Sequence, residues 1–148
     1  MAVNIFTIGF TKKSAERFFT LLEHSGARTL VDVRLNNVSQ LAGFAKRDDL
    51  RFFLRRIGAM DYVHRPDLAP TQDMLDRYKK RNEIPWSVYE FEFLSLMSAR
   101  RIESSVPQDL LQDAVLLCSE DKPHHCHRRL VAEYLAEHWC DVTVSHLT

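Results

Sequence analysis

Two rhythms of apolar residues take turns along this chain: short β-branched runs, and longer stretches in which apolar positions recur every three or four residues. From Asn4 to Phe10 the residues have the composition of a strand, ending at Gly9-Phe10-Thr11. Ser14 then offers an N-cap, and Phe18, Phe19, Leu21 and Leu22 form a helical stripe that stops at Gly26. Thr29 to Arg34 is a second strand. A polar loop from Leu35 to Lys46 follows, carrying Asn36, Asn37, Ser39, Gln40 and Gly43. It exceeds the roughly 2–6 residues usual between a strand and a helix, and long loops are often functional. Asp48 or Asp49 caps a helix with Leu50, Phe53, Leu54 and Ile57 on one face, closed by Gly58. Asp61 to Arg65 is a third strand, halted by Pro66. Thr71 starts a polar helix to about Asn82, and Pro85 and Trp86 open another that runs to about Ile102. Ala114 to Cys118 is a fourth strand, Pro123 to His138 a last helix, and Asp141 to Leu147 a fifth strand.

Strands alternating with helices predict an α/β fold: one three-layer domain over residues 1–148, with a mostly parallel sheet of about five strands and helices on both faces. An apolar content of 45% is ordinary for such a domain. Twenty basic residues balance twenty acidic ones, which argues against a broad electrostatic grip on nucleic acid and leaves room for a local basic patch. No secretory leader is visible and no apolar run reaches the ~18 residues of a membrane span, so no membrane association is expected. Cysteines at 118, 126 and 140 are odd in number and lack framework spacing. They are expected as three reduced thiols in a cytoplasmic protein. The sequence leaves the oligomeric state open.

Chemistry concentrates between Ala114 and Leu135. An apolar strand ends in Cys118, Glu120 follows, and three histidines, Cys126, Arg128 and Arg129 gather where the last helix begins. In an open α/β sheet that junction is where ligands bind. Parallel topology would bring Thr11, Arg34, His64, Arg65, Cys118 and Glu120 to the same edge, from separate stretches of sequence. Cys126 is the candidate nucleophile, because a helix start and the neighbouring His127 and Arg128 favour a thiolate. The bland alternative is a cysteine packed as a small hydrophobe against the sheet. The loop argues against a cysteine phosphatase: it has Glu120, Asp121 and Pro123, no glycine, and His124 where such enzymes commonly place an arginine. Metal binding has its own candidates, since Cys118, Cys126, His127 and one of His124 or His125 suit zinc or iron. The two cysteines are too far apart for a tight knuckle, so no metal ligand is assigned and no cofactor is expected. Lys46, Arg47, Arg51, Arg55 and Arg56 read as a solvated helix face. Trp86, Tyr89, Phe91 and Phe93 read as core.

The series Thr7-Ile8-Gly9, Val31-Asp32-Val33-Arg34, Tyr62-Val63-His64 and Leu116-Leu117-Cys118-Ser119-Glu120, then Cys126-His127-Arg128, resembles the bacterial domain-of-unknown-function family numbered 488, in order and over nearly the whole chain. The chain departs from that pattern after Arg34, where Leu35-Asn36-Asn37 replaces a proline and a basic or serine residue. The resemblance implies a compact α/β domain and no particular reaction.

The residues support three readings. One is an enzyme binding an anionic small molecule, nucleotide-like or derived from nucleic acid. In it Arg34, His64, Arg65, Arg128 and Thr11 bind substrate, Cys126 and Cys118 supply reactive sulfur, and Glu120 and His127 do acid–base work near neutral pH. Another is a non-catalytic module whose pocket senses a ligand, redox state or metal. The last is a structural cluster in which Glu120 pairs with Arg128. The enzyme reading is preferred.

Overall fold

A computed structural model describes residues 2–38 and 43–148. Of the long polar loop, Ser39 and Gln40 lie outside these residues. In chain order the elements are β1 (Val3–Gly9), α1 (Ala15–Ser25), β2 (Thr29–Asp32), α2 (Arg47–Gly58), β3 (Asp61–His64) and α3 (Gln72–Leu75, continued by a π-helical turn to Lys80). Then come α4 (Trp86–Arg100), α5 (Ile102–Ser105), α6 (Gln108–Leu111), β4 (Ala114–Cys118), α7 (His127–His138) and β5 (Val142–Leu147). The five strands form one sheet in the order β3-β2-β4-β1-β5, and every pair is parallel. The expected α/β architecture is therefore what the chain adopts.

Alternation along the strands splits the core in two. Ile8, Phe10, Leu30, Val115 and Leu117 pack on the face covered by α1 and α2, with Phe18, Leu22, Leu50 and Leu54. Val3, Ile5, Val31, Leu116 and Cys118 pack on the other face, against Phe93 and Met97 of α4 and Leu130 and Val131 of α7. The connections after β1 and β2 thus leave toward one face and that after β4 toward the other. β4 lies between β2 and β1, so chains diverge on both its sides, and a crevice opens at its carboxyl end. This is the switch-point arrangement in which open α/β sheets hold ligands.

The last helix starts later than expected. Residues 123–125 form a turn, Cys126 N–H donates to Pro123 O at 3.3 Å, and Cys126 is the N-cap of α7. Pro123 accounts for the turn, having no N–H of its own. Ser14 caps α1 as expected, accepting from Arg17 N, and Gly26 closes that helix at φ 74°. Phe91 is 72% exposed, contrary to the core reading, while Tyr89 and Phe93 are buried.

At the end of β1, Gly9 is obligatory for closeness rather than for turn geometry. A Cβ there would run into the carbonyl of Glu120 and approach the Arg128 guanidinium. Gly9→Ala is expected to lower the free energy of unfolding by about 1–3 kcal/mol in urea titration, because backbone rather than a pliable side chain must give way. A change below about 0.5 kcal/mol would mean that the β4–α7 turn moves freely.

Candidate active site

Val33 ties the site together. Its N–H donates to Leu117 O at 3.1 Å, continuing β2 alongside β4 beyond Asp32, and its carbonyl accepts from His127 Nε2 at 2.7 Å. The start of α7 is thereby fixed beside the residue that follows Val33, Arg34. A cavity of about 300 Å³ opens here. Arg34, Cys118, Glu120, Cys126 and His127 line it, with Tyr78, Trp86, Tyr89 and His125 forming an aromatic wall. Trp86 stacks on His125 at 4.9 Å and on Tyr89 at 5.3 Å.

Arg34 is buried, with only 3% exposed, yet incompletely satisfied. Nε and Nη2 each donate to the Asp32 carboxylate at 2.8 Å, and the guanidinium lies 5.4 Å from the Phe10 ring centre. Asp32 also accepts from Tyr62 O–H at 2.6 Å. Nη1 has no partner among the described residues. A buried donor without an acceptor costs about 1–3 kcal/mol, and Arg34 carries one beside the cavity that it lines.

The sulfurs of Cys118 and Cys126 are joined in a disulfide, with Cα atoms 7.4 Å apart. The expectation of three free thiols is corrected: Cys140 alone is free and exposed. Parallel topology explains the pairing, since the end of β4 and the N-cap of α7 face one another across a turn of seven residues. His127 Nε2 must carry its proton to donate to Val33 O. Burial then pushes the imidazole down to about 4, with the nearby Lys79 and Arg128 charges acting the same way against the Val33 hydrogen bond. His127 is accordingly neutral at pH 7, not poised there as a proton shuttle.

Arg128 is fully buried and already engaged. Nη1 donates to Glu120 O and to Cys118 Sγ, Nη2 to Asp121 O, and Nε to Thr7 Oγ1. Burial lowers its pKa to about 10, which leaves it charged. Expected as a ligand-binding side chain, it instead organises the turn. The expected Glu120–Arg128 side-chain pair does not form: Arg128 takes the Glu120 carbonyl, and the carboxylate pairs with Lys79 while remaining 45% exposed. Glu120 is thus a rim group. His64 Nε2–H donates to Arg34 O at 2.8 Å and does not line the cavity, and Arg65 pairs with Asp67. With Lys12, Lys122 and His124, Thr11 lines a neighbouring depression, which shares Glu120 and His125 with the cavity. So of nine residues expected at one site, Arg34, Cys118, Glu120, Cys126 and His127 share the cavity.

The family described as a domain of unknown function, DUF488, matches residues 14–135. The chain belongs to it. The match takes in Asp32, Arg34, His64, Cys118, Glu120, Cys126, His127 and Arg128 and leaves Gly9 outside. Among curated proteins and solved structures nothing matches the chain. No helix among the described residues is long and apolar enough to cross a membrane.

Helical spacing marked Trp86 and Tyr89 as core and gave no signal for Tyr78, whereas the cavity brings all three into one wall. Sequence reasoning missed the spare donor on Arg34 because pairing with Asp32, two residues away, looks complete in sequence.

Two measurements probe these electrostatics. Arg34→Met is expected to cost about 3–5 kcal/mol in urea unfolding, since it strands the buried Asp32 carboxylate. Adding Asp32→Asn should recover much of that loss, and no recovery would mean that Arg34 acts chiefly by packing. His127 has a depressed folded pKa, about 4 against 6.5, so the folded state takes its proton late. Stability should therefore be full above pH 6.5 and fall by about 3 kcal/mol as pH drops to 4. His127→Gln should lose that part of the slope; an unchanged slope would locate it elsewhere.

Proposed function

We propose that this protein is a cytoplasmic enzyme that binds a small anionic, ring-bearing substrate of nucleotide-like chemistry in the cavity and acts on it with the Cys118–Cys126 thiol pair. The observation that carries the reading is that Arg34, whose buried Nη1 has no partner among the described residues, lines the same cavity as both cysteines. That nitrogen takes a phosphate or carboxylate oxygen, while the aromatic wall of Tyr78, Trp86 and His125 gives a substrate ring apolar surface to pack against.

Cys126 is the attacking sulfur. As N-cap of α7 it sits at the positive end of the helix, which favours its thiolate once the disulfide is reduced. On a substrate bond X–Y, the Cys126 thiolate forms S–X as Y leaves with a proton. The Cys118 thiolate then attacks the Cys126 sulfur, and X leaves with the second proton as the disulfide closes. A cellular dithiol reopens it. Arg128 Nη1, donating to Cys118 Sγ at 3.6 Å, steadies the second thiolate, and Glu120 at the rim handles protons. Cytosolic disulfides are usually transient and catalytic or redox-sensing, in keeping with this use.

Alkylation of the reduced protein at pH 7, mapped by peptide mass, should modify Cys126 faster than the exposed Cys140, whose environment supplies no comparable dipole. Adenosine monophosphate should slow Cys126 alone, and Arg34→Lys should remove that protection. Equal rates at Cys126 and Cys140, or protection that survives Arg34→Lys, would contradict the reading.

A further inference from the structure

In addition to the disulfide, the structure assigns to the reduced Cys118 and Cys126 thiolates, together with His127, a site for one thiophilic divalent cation of the zinc type, with a coordination position left open toward the cavity. The two sulfurs and a ring nitrogen of His127 lie within 4.8 Å of one another, and all three residues are buried. Ligands at tetrahedral zinc are spaced on this scale, given metal–sulfur bonds of about 2.3 Å and metal–nitrogen bonds of about 2.0–2.1 Å. No knuckle is needed, because the ligands come from the end of one strand and the start of the next helix.

Three further features favour an ion. His127 donates Nε2–H to Val33 O, so its tautomer is fixed and Nδ1 carries the lone pair. Zinc-binding histidines are held in just this way by a carbonyl on the far nitrogen. The Arg128 Nη1–H donor on Cys118 Sγ is a second supporting contact of the same kind. The Cα atoms of the two cysteines stand 7.4 Å apart, beyond the roughly 4.4–6.8 Å that disulfides usually span. Two thiolates held apart by an ion require the wider seat. Two negative sulfurs in a buried corner also ask for more positive charge than Arg128 alone brings, and a divalent ion supplies it.

Three protein ligands from two thiolates and an imidazole suit zinc better than a hard cation, and leave room for a water or a ligand atom. The dithiolate with its ion and the disulfide are alternative states of the same two sulfurs, so only the reduced protein holds the cation. Binding does not depend on any substrate. Where the thiol enzyme reading holds as well, the ion caps both sulfurs and so regulates it.

Cobalt(II), whose thiolate complexes absorb in the near ultraviolet and visible, is the probe. Protein reduced with a phosphine, freed of metal and kept anaerobic, should bind one cobalt per chain with a sulfur-to-metal charge-transfer band, and zinc should displace it. Cys118→Ser, Cys126→Ser and His127→Gln should each weaken cobalt binding by about a hundredfold or more, and Cys140→Ser should not. The disulfide form should show no band. Because the spectrum of the unmutated protein itself reports sulfur ligands, the test survives a variant that fails to fold. A reduced, folded protein that binds no cobalt, a band that persists in the disulfide form, or one that depends on Cys140 would overturn the site. Loss of nucleotide protection alone would count against the substrate reading and leave the cation site standing.

Discussion

One buried cation holds the functional end of this molecule in shape. The Arg128 guanidinium reaches from the first turn of α7 to the carbonyls of Glu120 and Asp121, to Cys118 Sγ and to Thr7 Oγ1 of β1. A charge removed from water survives only when its donors are met, and here carbonyls, sulfur and hydroxyl meet them. Thr7 Oγ1 in turn shares a hydrogen bond of 2.6 Å with His146 Nδ1, linking β5 to the same network. From the other flank Lys13 holds Asp121 at 2.6 Å, which keeps that carboxyl below its ordinary range. The β4–α7 turn is thus clamped by Arg128 of α7 and by Lys13 after β1, with β1 and β5 joined to the network through Thr7 and His146, and Gly9 lets it come close.

Everything in the cavity follows from that clamp. Cys118 and Cys126 lie on either side of the turn, so fixing its carbonyls fixes the sulfurs. His127 then reaches Val33 O, which sets Arg34 against the same space. Arg128 and Arg34 divide the labour of the two buried arginines. Arg128 has every nitrogen engaged and builds the wall; Arg34 is held on one edge by Asp32 and presents Nη1. A linked cysteine pair, a buried arginine and an aromatic wall thereby meet around a volume of about 300 Å³.

The sheet was legible in the sequence because burial on both faces of central strands leaves runs such as Ala114–Cys118, whose bounds match the structure. Helix starts were harder. Cys126 was expected inside the last helix, but Pro123 and the carbonyl contacts of Arg128 hold residues 123–125 in a turn, an effect with no local periodic signal. Convergence at the switch point could be anticipated for Arg34, Cys118, Glu120, Cys126 and His127, since topology alone delivers them. It failed for Thr11, His64, Arg65 and Arg128, and the last three are directed by short-range partners: the Arg34 carbonyl for His64, Asp67 for Arg65, main-chain oxygens for Arg128. A lone sequence cannot distinguish an arginine that binds a ligand from one that binds backbone, because both sit at strand ends with the same neighbours.

The central claim is that the spare donor of Arg34 and the sulfur pair address one and the same bound anion. Crystals of the reduced protein soaked in tungstate, a tetrahedral oxyanion visible by its anomalous scattering, test it most directly. The account predicts a tungstate oxygen within hydrogen-bonding distance of Arg34 Nη1, inside the cavity lined by Cys118 and Cys126. Tungstate seated only among surface lysines, with Arg34 Nη1 left empty or turned to a protein acceptor, would contradict it.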